Sequence, residues 1–283
     1  MILSDLKIPQ PLGTLAFLAA WMVPWRPAYR IRAAKSDLAF FVHHRDAIGR
    51  HIAKYGTHEP LVTRWIAEFL GAAQRGIVVD VGANLGWHAL HASRHRSVET
   101  VVAFEPDPFN AWLLERNLSE NQIDNVIVDS RAVGASPGIA RLFRYKSANF
   151  GRHSIAADHG HGSRMVPVTD VDSALSGLGL GDRPVSLIKI DVEGYEPMVL
   201  KGLTSAVPYI SFEVNLPEFQ PEAKQCVEWL EDLAPQGEFS YAADCRFGLI
   251  PERWLPKGLF LQLLNSCVEP CIEIFWKAPG QPS

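Results

Sequence analysis

One ten-residue stretch constrains this chain more than any other: Val78-Val79-Asp80-Val81-Gly82-Ala83-Asn84-Leu85-Gly86-Trp87. An apolar run ends in an acid, and a glycine-bearing loop then opens into a helical pattern. Gly82 permits a tight turn and close approach of the backbone to a ligand, and Gly86 lets the helix start against it. The spacing is G-x-x-x-G. Dinucleotide binders use G-x-G-x-x-G, where the second glycine makes room for a pyrophosphate, and Asn84 stands in that place here. An acid at Asp80 repels phosphate but suits a cationic ammonium group, to which Asn84 can add a polar contact.

The same grammar continues downstream. Periodicity predicts strands over 77–81, 101–104 and 126–128, alternating with helices over 87–94 and 108–121. Residues 133–172 interrupt this rhythm with strands over 139–145 and 164–168. It resumes with a strand over 187–190, a helix from Tyr195, a strand over 209–214 and a helix over 222–233. Segments 239–242 and 271–276 supply antiparallel closing strands. The expected fold class is α/β, a Rossmann-like sheet that is mostly parallel, with helices on both faces and an antiparallel closing strand. Residues 26–75 read as helical, with 37–44 and 59–70 the clearer segments; Leu61, Trp65 and Phe69 mark a helix packed on a core. The chain thus divides into an N-terminal helical extension (1–56) and a main domain (57–283).

Charge narrows the partners. With 27 basic and 31 acidic side chains the chain carries −4, which leaves no electrostatic footprint for nucleic acid. Cys226, Cys245, Cys267 and Cys271 form no C-x-x-C pair, so they read as reduced thiols of a cytoplasmic protein, with no zinc site. Residues 8–25 hold no charge, and an apolar helix over 12–23 is bracketed by Pro9, Pro11 and Pro24. About 12 residues make a helix of about 18 Å, whereas a bilayer core takes about 20 residues. A span is therefore not expected, and Asp5 argues against a secretory leader. Two readings remain. The helix docks on the protein, or it makes a peripheral membrane contact through residues 12–25, with Trp21, Trp25, Arg26 and Arg30 near the headgroups.

Two further strand ends carry chemistry. Glu105, in Glu105-Pro106-Asp107, follows the glycine loop by about 20 residues and is placed to bind both hydroxyls of a ribose. The pair of strand ends suits S-adenosylmethionine better than NAD. The strand in Ser186–Ile190 delivers Asp191 to the same sheet edge, followed by Glu193 and by Glu196 at a helix start. Asp191 is a candidate general base. With Glu193, Glu213 and Asn215 it could also form an oxygen-rich magnesium site. His88, His91 and His95 read as helix surface or packing rather than metal ligands, and His159 and His161 as part of a mobile loop.

The segments DVGANLGWHAL, AFEPDP, RNLSEN and LIKIDVEGYEPMVLKG resemble the FkbM family of S-adenosylmethionine-dependent methyltransferases, over about residues 57–215. The resemblance implies a Rossmann-like methyltransferase fold and O-methylation of small molecules or sugars. It implies that Asp80, Gly82, Asn84 and Gly86 line the methionine end of the cofactor, that Glu105 holds the ribose, and that Asp129 to Ala132 flank the adenine. Asp191 and Glu193 would face the transfer site. Beside them, Glu193, Glu213 and Asn215 are read from the sequence as candidate substrate-binding residues. The loop Asn149-Phe150-Gly151-Arg152-His153-Ser154 is similar to the family's glycine- and serine-containing loop, with Phe150 and Arg152 in place of smaller residues. That likeness makes His153 a second candidate base, whose ordinary pKa of about 6.5 suits proton removal at neutral pH.

The expected activity is methyl transfer from S-adenosylmethionine to an acceptor hydroxyl on a small molecule, saccharide, glycolipid or natural product. A metal-free route is favoured and magnesium is the alternative. An NAD-dependent oxidoreductase is argued against by Asn84. A non-catalytic carbohydrate- or lipid-associated module is argued against by the intact Asp80, Glu105 and Asp191.

Overall fold

In the computed structural model, which describes residues 10–22, 28–43, 46–145, 150–243 and 254–282, the chain begins with helix α1 (Pro11–Trp21). A hairpin of β1 (Ala28–Arg32) and β2 (Ala39–His43) follows, then helices α2 (Ala47–Tyr55) and α3 (Pro60–Ala72). The alternating part runs β3 (Gly76–Val81), α4 (Trp87–Ser93), β4 (Val98–Phe104), α5 (Pro108–Glu120), β5 (Val126–Asp129). A side sheet forms from β6 (Ala132–Val133), β7 (Gly138–Phe143) and β8 (Ser163–Thr169). After α6 (Val171–Gly177) come β9 (Val185–Ile190), α7 (Glu196–Lys201), β10 (Tyr209–Asn215) and α8 (Leu216–Leu233). Strands β11 (Glu238–Ala242) and β12 (Leu255–Pro256), helix α9 (Lys257–Ser266) and strand β13 (Cys271–Lys277) close it. Trp25, Arg26, Asn149 and Cys245 lie outside the described residues.

The main sheet has the order β12-β11-β13-β10-β9-β3-β4-β5. From β10 to β5 all neighbours are parallel, while β13 enters antiparallel beside β10 and β11 antiparallel beside β13. This is the expected α/β class. Strand alternation sends Val79, Val81, Ile188, Ile190, Phe212 and Ile274 to one core beneath α6 to α9. Val78, Val101, Leu187, Tyr209 and Phe275 face a second core beneath α2 to α5 and the hairpin. Covering both faces is why every residue of β3 is buried and why these strands read as unbroken apolar runs.

The second face is not wholly apolar. Register places Asp80 opposite Lys189, Lys189 opposite Ser211, and Glu213 opposite Glu273. By alternation all five share one face, so a polar row crosses the sheet, and Asp80, Lys189, Ser211 and Glu273 are buried in it.

The N-terminal segment differs from its sequence expectation. Of residues 37–44, expected as helix, 37–43 form the turn and second strand of the hairpin, and His44 lies outside the described residues. Along β2, Phe40 and Val42 are buried while Phe41 and His43 are half-buried, a period of two. Two asparagines one helical turn apart on α5 stand in for a third strand. Asn117 Oδ1 accepts from the Phe41 amide at 2.5 Å, and Asn121 Oδ1 accepts from the Ala39 amide at 2.9 Å. Their Nδ2 groups donate back to the Phe41 and Ala39 carbonyls at 3.2 and 2.7 Å. Tertiary partners, not local pattern, make this segment a strand.

Helices α6 and α9 were also not expected, and α8 starts six residues before the expected 222. Its first turn precedes Pro221, and Phe219 sits at non-helical φ −127°, so two helical pieces meet at a kink there.

Candidate active site

Backbone hydrogen bonds fasten four strand ends together. Gly82 N donates to Phe104 O at 2.9 Å, Glu105 N to Asp129 O at 3.0 Å, and Asp191 N to Val81 O at 2.8 Å. Gly82 has φ +82°, and a Cβ there would stand 1.9 Å from the Asp191 carbonyl oxygen, so any side chain would force β3 and β9 apart. Asn84 is also left-handed (φ 51°) and donates its amide to Glu105 Oε2 at 2.8 Å. The other Glu105 oxygen accepts from Asp107 N at 2.8 Å. One buried carboxylate thus clamps the glycine loop to the end of β4, and burial pushes its pKa up to about 8.

Two cavities open along this edge. The smaller is walled by Phe104, Glu105, Ala132, Val133, His153 and Tyr195. The larger, about 370 Å³, is walled by Glu59, Asp80, Trp87, Arg152, Glu193, Glu213 and Asn215 among others. Both share Gly82, Asn84, Gly151 and Asp191. Among the residues assigned to the cofactor, the acceptor or proton removal, Gly86 and Asp129 line neither: Gly86 packs toward Leu114, and Asp129 binds Arg131 Nε at 2.9 Å and Nη2 at 2.5 Å. His153 stands with Glu105 and Ala132 in the smaller cavity, and its Nδ1 accepts from the Tyr145 amide at 3.1 Å. Burial lowers its pKa.

Carboxylates dominate the larger cavity. Burial pushes the Asp191 pKa up, opposed by Lys189, whose Nζ lies 3.7 Å from Asp191 Oδ2 and 3.9 Å from Glu273 Oε2. Burial would lower the Lys189 pKa, but Glu273, Asp191, Glu59 and Asp80 together hold it well above the usual range. Asp80 is lifted by burial to about 6, and its buried Oδ2 has no hydrogen-bond partner among the described residues. Glu213 is raised well above its ordinary value by burial and by Asp191. Glu193 is lifted to about 8 by burial and Asp191, although Arg152 Nε approaches both its oxygens at 3.2 Å. Arg152 also donates to Glu218 at 2.8 Å, tying the loop over the site. The carboxylates of Asp191, Glu193 and Glu213 lie within 4.8 Å of one another, a set able to hold a cation.

The loop bearing Asp191 and Glu193 is held from below. Buried Glu196, expected to serve the helix dipole, accepts from the amides of Val192 and Gly194, both at 3.2 Å. Ser154 Oγ donates to the Glu193 carbonyl at 2.6 Å.

Sequence reasoning missed Glu59. Its Oε1 meets His58 Nε2 at 3.1 Å and its Oε2 meets His88 Nε2 at 2.8 Å. Burial would raise its pKa, but the two histidines hold it well below the ordinary value, while burial drives His88 down to about 4. Glu59 occupies the position before α3 at φ 40°, without capping the helix by its side chain. An acid before Pro60 reads locally as an ordinary helix start, and only the two histidines, one of them from α4, set it apart. His91 and His95 make no metal pair. His91 Nδ1 contacts Trp87 O at 2.7 Å, and His95 lies beyond α4 against Ser97.

The chain is similar to several known proteins. Hexuronic acid methyltransferase AglP of Haloferax volcanii is 30% identical over 143 residues, which is 50% of this chain and 56% of that protein. The 31-O-demethyl-FK506 methyltransferase FkbM of Streptomyces tacrolimicus is 31% identical over 157 residues, 46% of this chain and 60% of that protein. The chain therefore spans somewhat over half the length of these relatives. An O-methyltransferase from Bacillus cereus, solved with SAH, aligns over 97% of this chain and 94% of its own at 11% identity, with a TM-score of 0.46. The model of the methyltransferase FkbM domain matches residues 80–237, more than half of the chain and the whole run of strand ends described above; the chain belongs to the FkbM methyltransferase family.

Proposed function

We propose that this chain transfers the methyl group of S-adenosylmethionine to an acceptor hydroxyl bound in the larger cavity. The observation that carries the reading is the meeting of the two cavities at Gly82, Asn84 and Asp191. The residues present fit the cofactor. The unpartnered Asp80 Oδ2 suits its ammonium group, and the Glu105 carboxyl in the wall of the smaller cavity suits the ribose hydroxyls. Ala132 and His153 would border the adenosine. Bound there, S-adenosylmethionine supplies a methyl group made electrophilic by its sulfonium.

The chain's own work is alignment and proton removal. The acceptor oxygen forms the new C–O bond, the C–S bond breaks with its electron pair staying on sulfur, and the hydroxyl proton passes to an Asp191 carboxylate oxygen. A pKa raised by burial makes Asp191 a better base than an exposed aspartate. His153 takes no proton in this scheme, because it belongs to the cofactor side. Glu59, Glu193, Glu213 and Asn215 would receive acceptor hydroxyls. The names of the relatives, a hexuronic acid methyltransferase and an FK506-type methyltransferase, support a saccharide or natural-product acceptor. Residues 57–283 make the catalytic unit, to which the extension 1–56 adds Ala47, Ile48 and His51 as cavity wall.

A second reading puts magnesium on Asp191, Glu193 and Glu213. Arg152 already supplies positive charge to Glu193, which favours the metal-free route. The test is incubation of the full chain with methyl-labelled S-adenosylmethionine and a panel of sugars, glycolipids and hydroxylated natural products. Label in an acceptor, with stoichiometric S-adenosylhomocysteine, is the expected result. Absence of cofactor binding and of turnover would sink the proposal, and binding without turnover would favour the non-catalytic module.

A further inference from the structure

Helix α1 is apolar on two sides, and only one of them is used. Gly13 faces α2 so closely that a Cβ would lie 1.9 Å from the Ala53 carbonyl oxygen, and Gln10 N donates to Lys54 O at 2.5 Å. Phe17 meets Tyr29 edge-on at 6.1 Å. The helix is therefore docked. Its other side carries Leu12, Leu15 and Leu18, with Met22 just beyond, at 82%, 62%, 52% and 69% exposure. Spacings of three, three and four residues put these on one stripe. No helix among the described residues is long and apolar enough to cross a membrane.

Charge says what covers this stripe. Residues 1–58 hold eight Lys and Arg against three Asp and Glu, while residues 59–283 hold nineteen against twenty-eight. In an acidic chain the positive excess lies in the segment that carries α1. Arg30, Arg32, Lys35 and Arg50 are exposed on β1, on the hairpin turn and on α2. Exposed apolar side chains on a segment with excess positive charge suit an anionic lipid surface, where both contributions add, although Arg30 is also held by Glu120 at 2.6 Å. They suit a second copy of this chain less well, because two such positive faces would repel.

We propose that α1 is an in-plane anchor for an anionic lipid surface. The anchor also bears on the substrate. Helix α2 receives α1 on one side and with Ala47, Ile48 and His51 walls the larger cavity on the other. Membrane binding would hold that cavity one helix away from the lipid, so the acceptor is a hydroxylated group borne on a membrane lipid. This last step rests on the methyl-transfer reading; the anchor does not.

The test is co-sedimentation of the full chain with vesicles of phosphatidylcholine and phosphatidylglycerol at about 3:1, against phosphatidylcholine alone. The expected result is binding to the anionic vesicles, weakened in about 1 M salt and reduced at least about tenfold by Leu15→Glu with Leu18→Glu. Affinity for S-adenosylhomocysteine, measured by calorimetry, should not change in that variant. If the variant loses its fold, Leu12→Gln with Met22→Gln replaces it. Equal vesicle binding by wild type and variant, or none by wild type, overturns the anchor. A dimer in sedimentation velocity that the same substitutions dissolve, with no vesicle binding, would assign the stripe to a second copy. If wild type binds vesicles but not S-adenosylhomocysteine, the anchor stands and the methyl-transfer reading falls.

Discussion

The two cavities that meet at Asp191 are built by different means. The smaller takes most of its polar walls from residues just past the ends of β3, β4 and β9, with His153 added from the side-sheet loop, and short hydrogen bonds between neighbouring loops fix the β3 and β4 ends. Glu105, for instance, spends both oxygens on amides two residues and one loop away. The larger draws on remote segments: Glu59 before α3, Asp80 in β3, Arg152 from the side-sheet loop, Glu193 after β9 and Glu213 in β10. Its carboxylates face one another across buried space, and their pKa values are driven apart, Glu59 down and Glu193 up. A cofactor wall can be assembled by local rules because its ligand is constant. The acceptor wall holds unrelieved charge, which a bound molecule must meet.

The largest effect should come from breaking the shared wall. Asp191→Asn keeps the shape and removes the proton acceptor, so kcat is expected to fall by about 10²–10⁴. Affinity for S-adenosylhomocysteine should be retained. Unchanged turnover would mean that alignment alone drives the reaction and that the two cavities merely touch there.

Next comes the polar row beneath the larger cavity. Lys189→Met leaves Asp191 and Glu273 buried without their cation and should cost about 3–5 kcal/mol of stability. Thermal or denaturant unfolding measures this, and Glu273→Gln added to it should recover part of the loss. A neutral result would show that water, not Lys189, balances these carboxylates.

Contacts to the cofactor, from Glu105 in the smaller cavity and from Asp80 where the larger one begins, should give smaller effects. Asp80→Ala and Glu105→Ala should each weaken S-adenosylmethionine binding by about 1–3 kcal/mol, read by calorimetry. Glu105 also gives a pH signature. Its folded pKa of about 8 exceeds its ordinary 4.5, so the folded chain holds a proton that the unfolded chain has released. The stability gained is present at low pH and lost as pH rises towards and through 8, at no more than about 1.4 kcal/mol per pH unit. Glu105→Gln should flatten that part of the unfolding profile. An unaltered slope would place the titration elsewhere, with Glu193 as the first candidate.

The same contrast explains what could be read from sequence. The strands β3, β4, β9 and β10 and the acids at their ends were legible because burial on both faces leaves apolar runs that stop abruptly at a carboxylate. Asp191, Glu193 and Glu213 were named together for that reason. The hairpin was not legible, since Asn117 and Asn121 complete it from 76 and 82 residues away. Glu59 was missed because nothing local distinguishes a carboxylate held by two histidines from a solvated acid at a helix start. Asp129 was over-read: it follows a strand end like the others, but Arg131 two residues on captures it.

The smallest expected effect is none at all, and it bears on the acceptor side alone. Asp191, Glu193 and Glu213 could share a divalent ion, and magnesium held there would lower the pKa of an acceptor hydroxyl by direct coordination. Two features weigh against that use. Arg152 lies against both oxygens of Glu193, so an ion would have to displace a guanidinium also held by Glu218. Lys189 supplies a second fixed charge at 3.7 Å from Asp191. With these cations built in, exhaustive EDTA treatment should leave the rate of methyl transfer unchanged. Arg152→Gln should instead create a magnesium response, because it frees Glu193 while leaving the three carboxylates in place. Activity that falls in EDTA and returns with magnesium in the wild-type chain would reverse the assignment, making Arg152 a gate over a metal site.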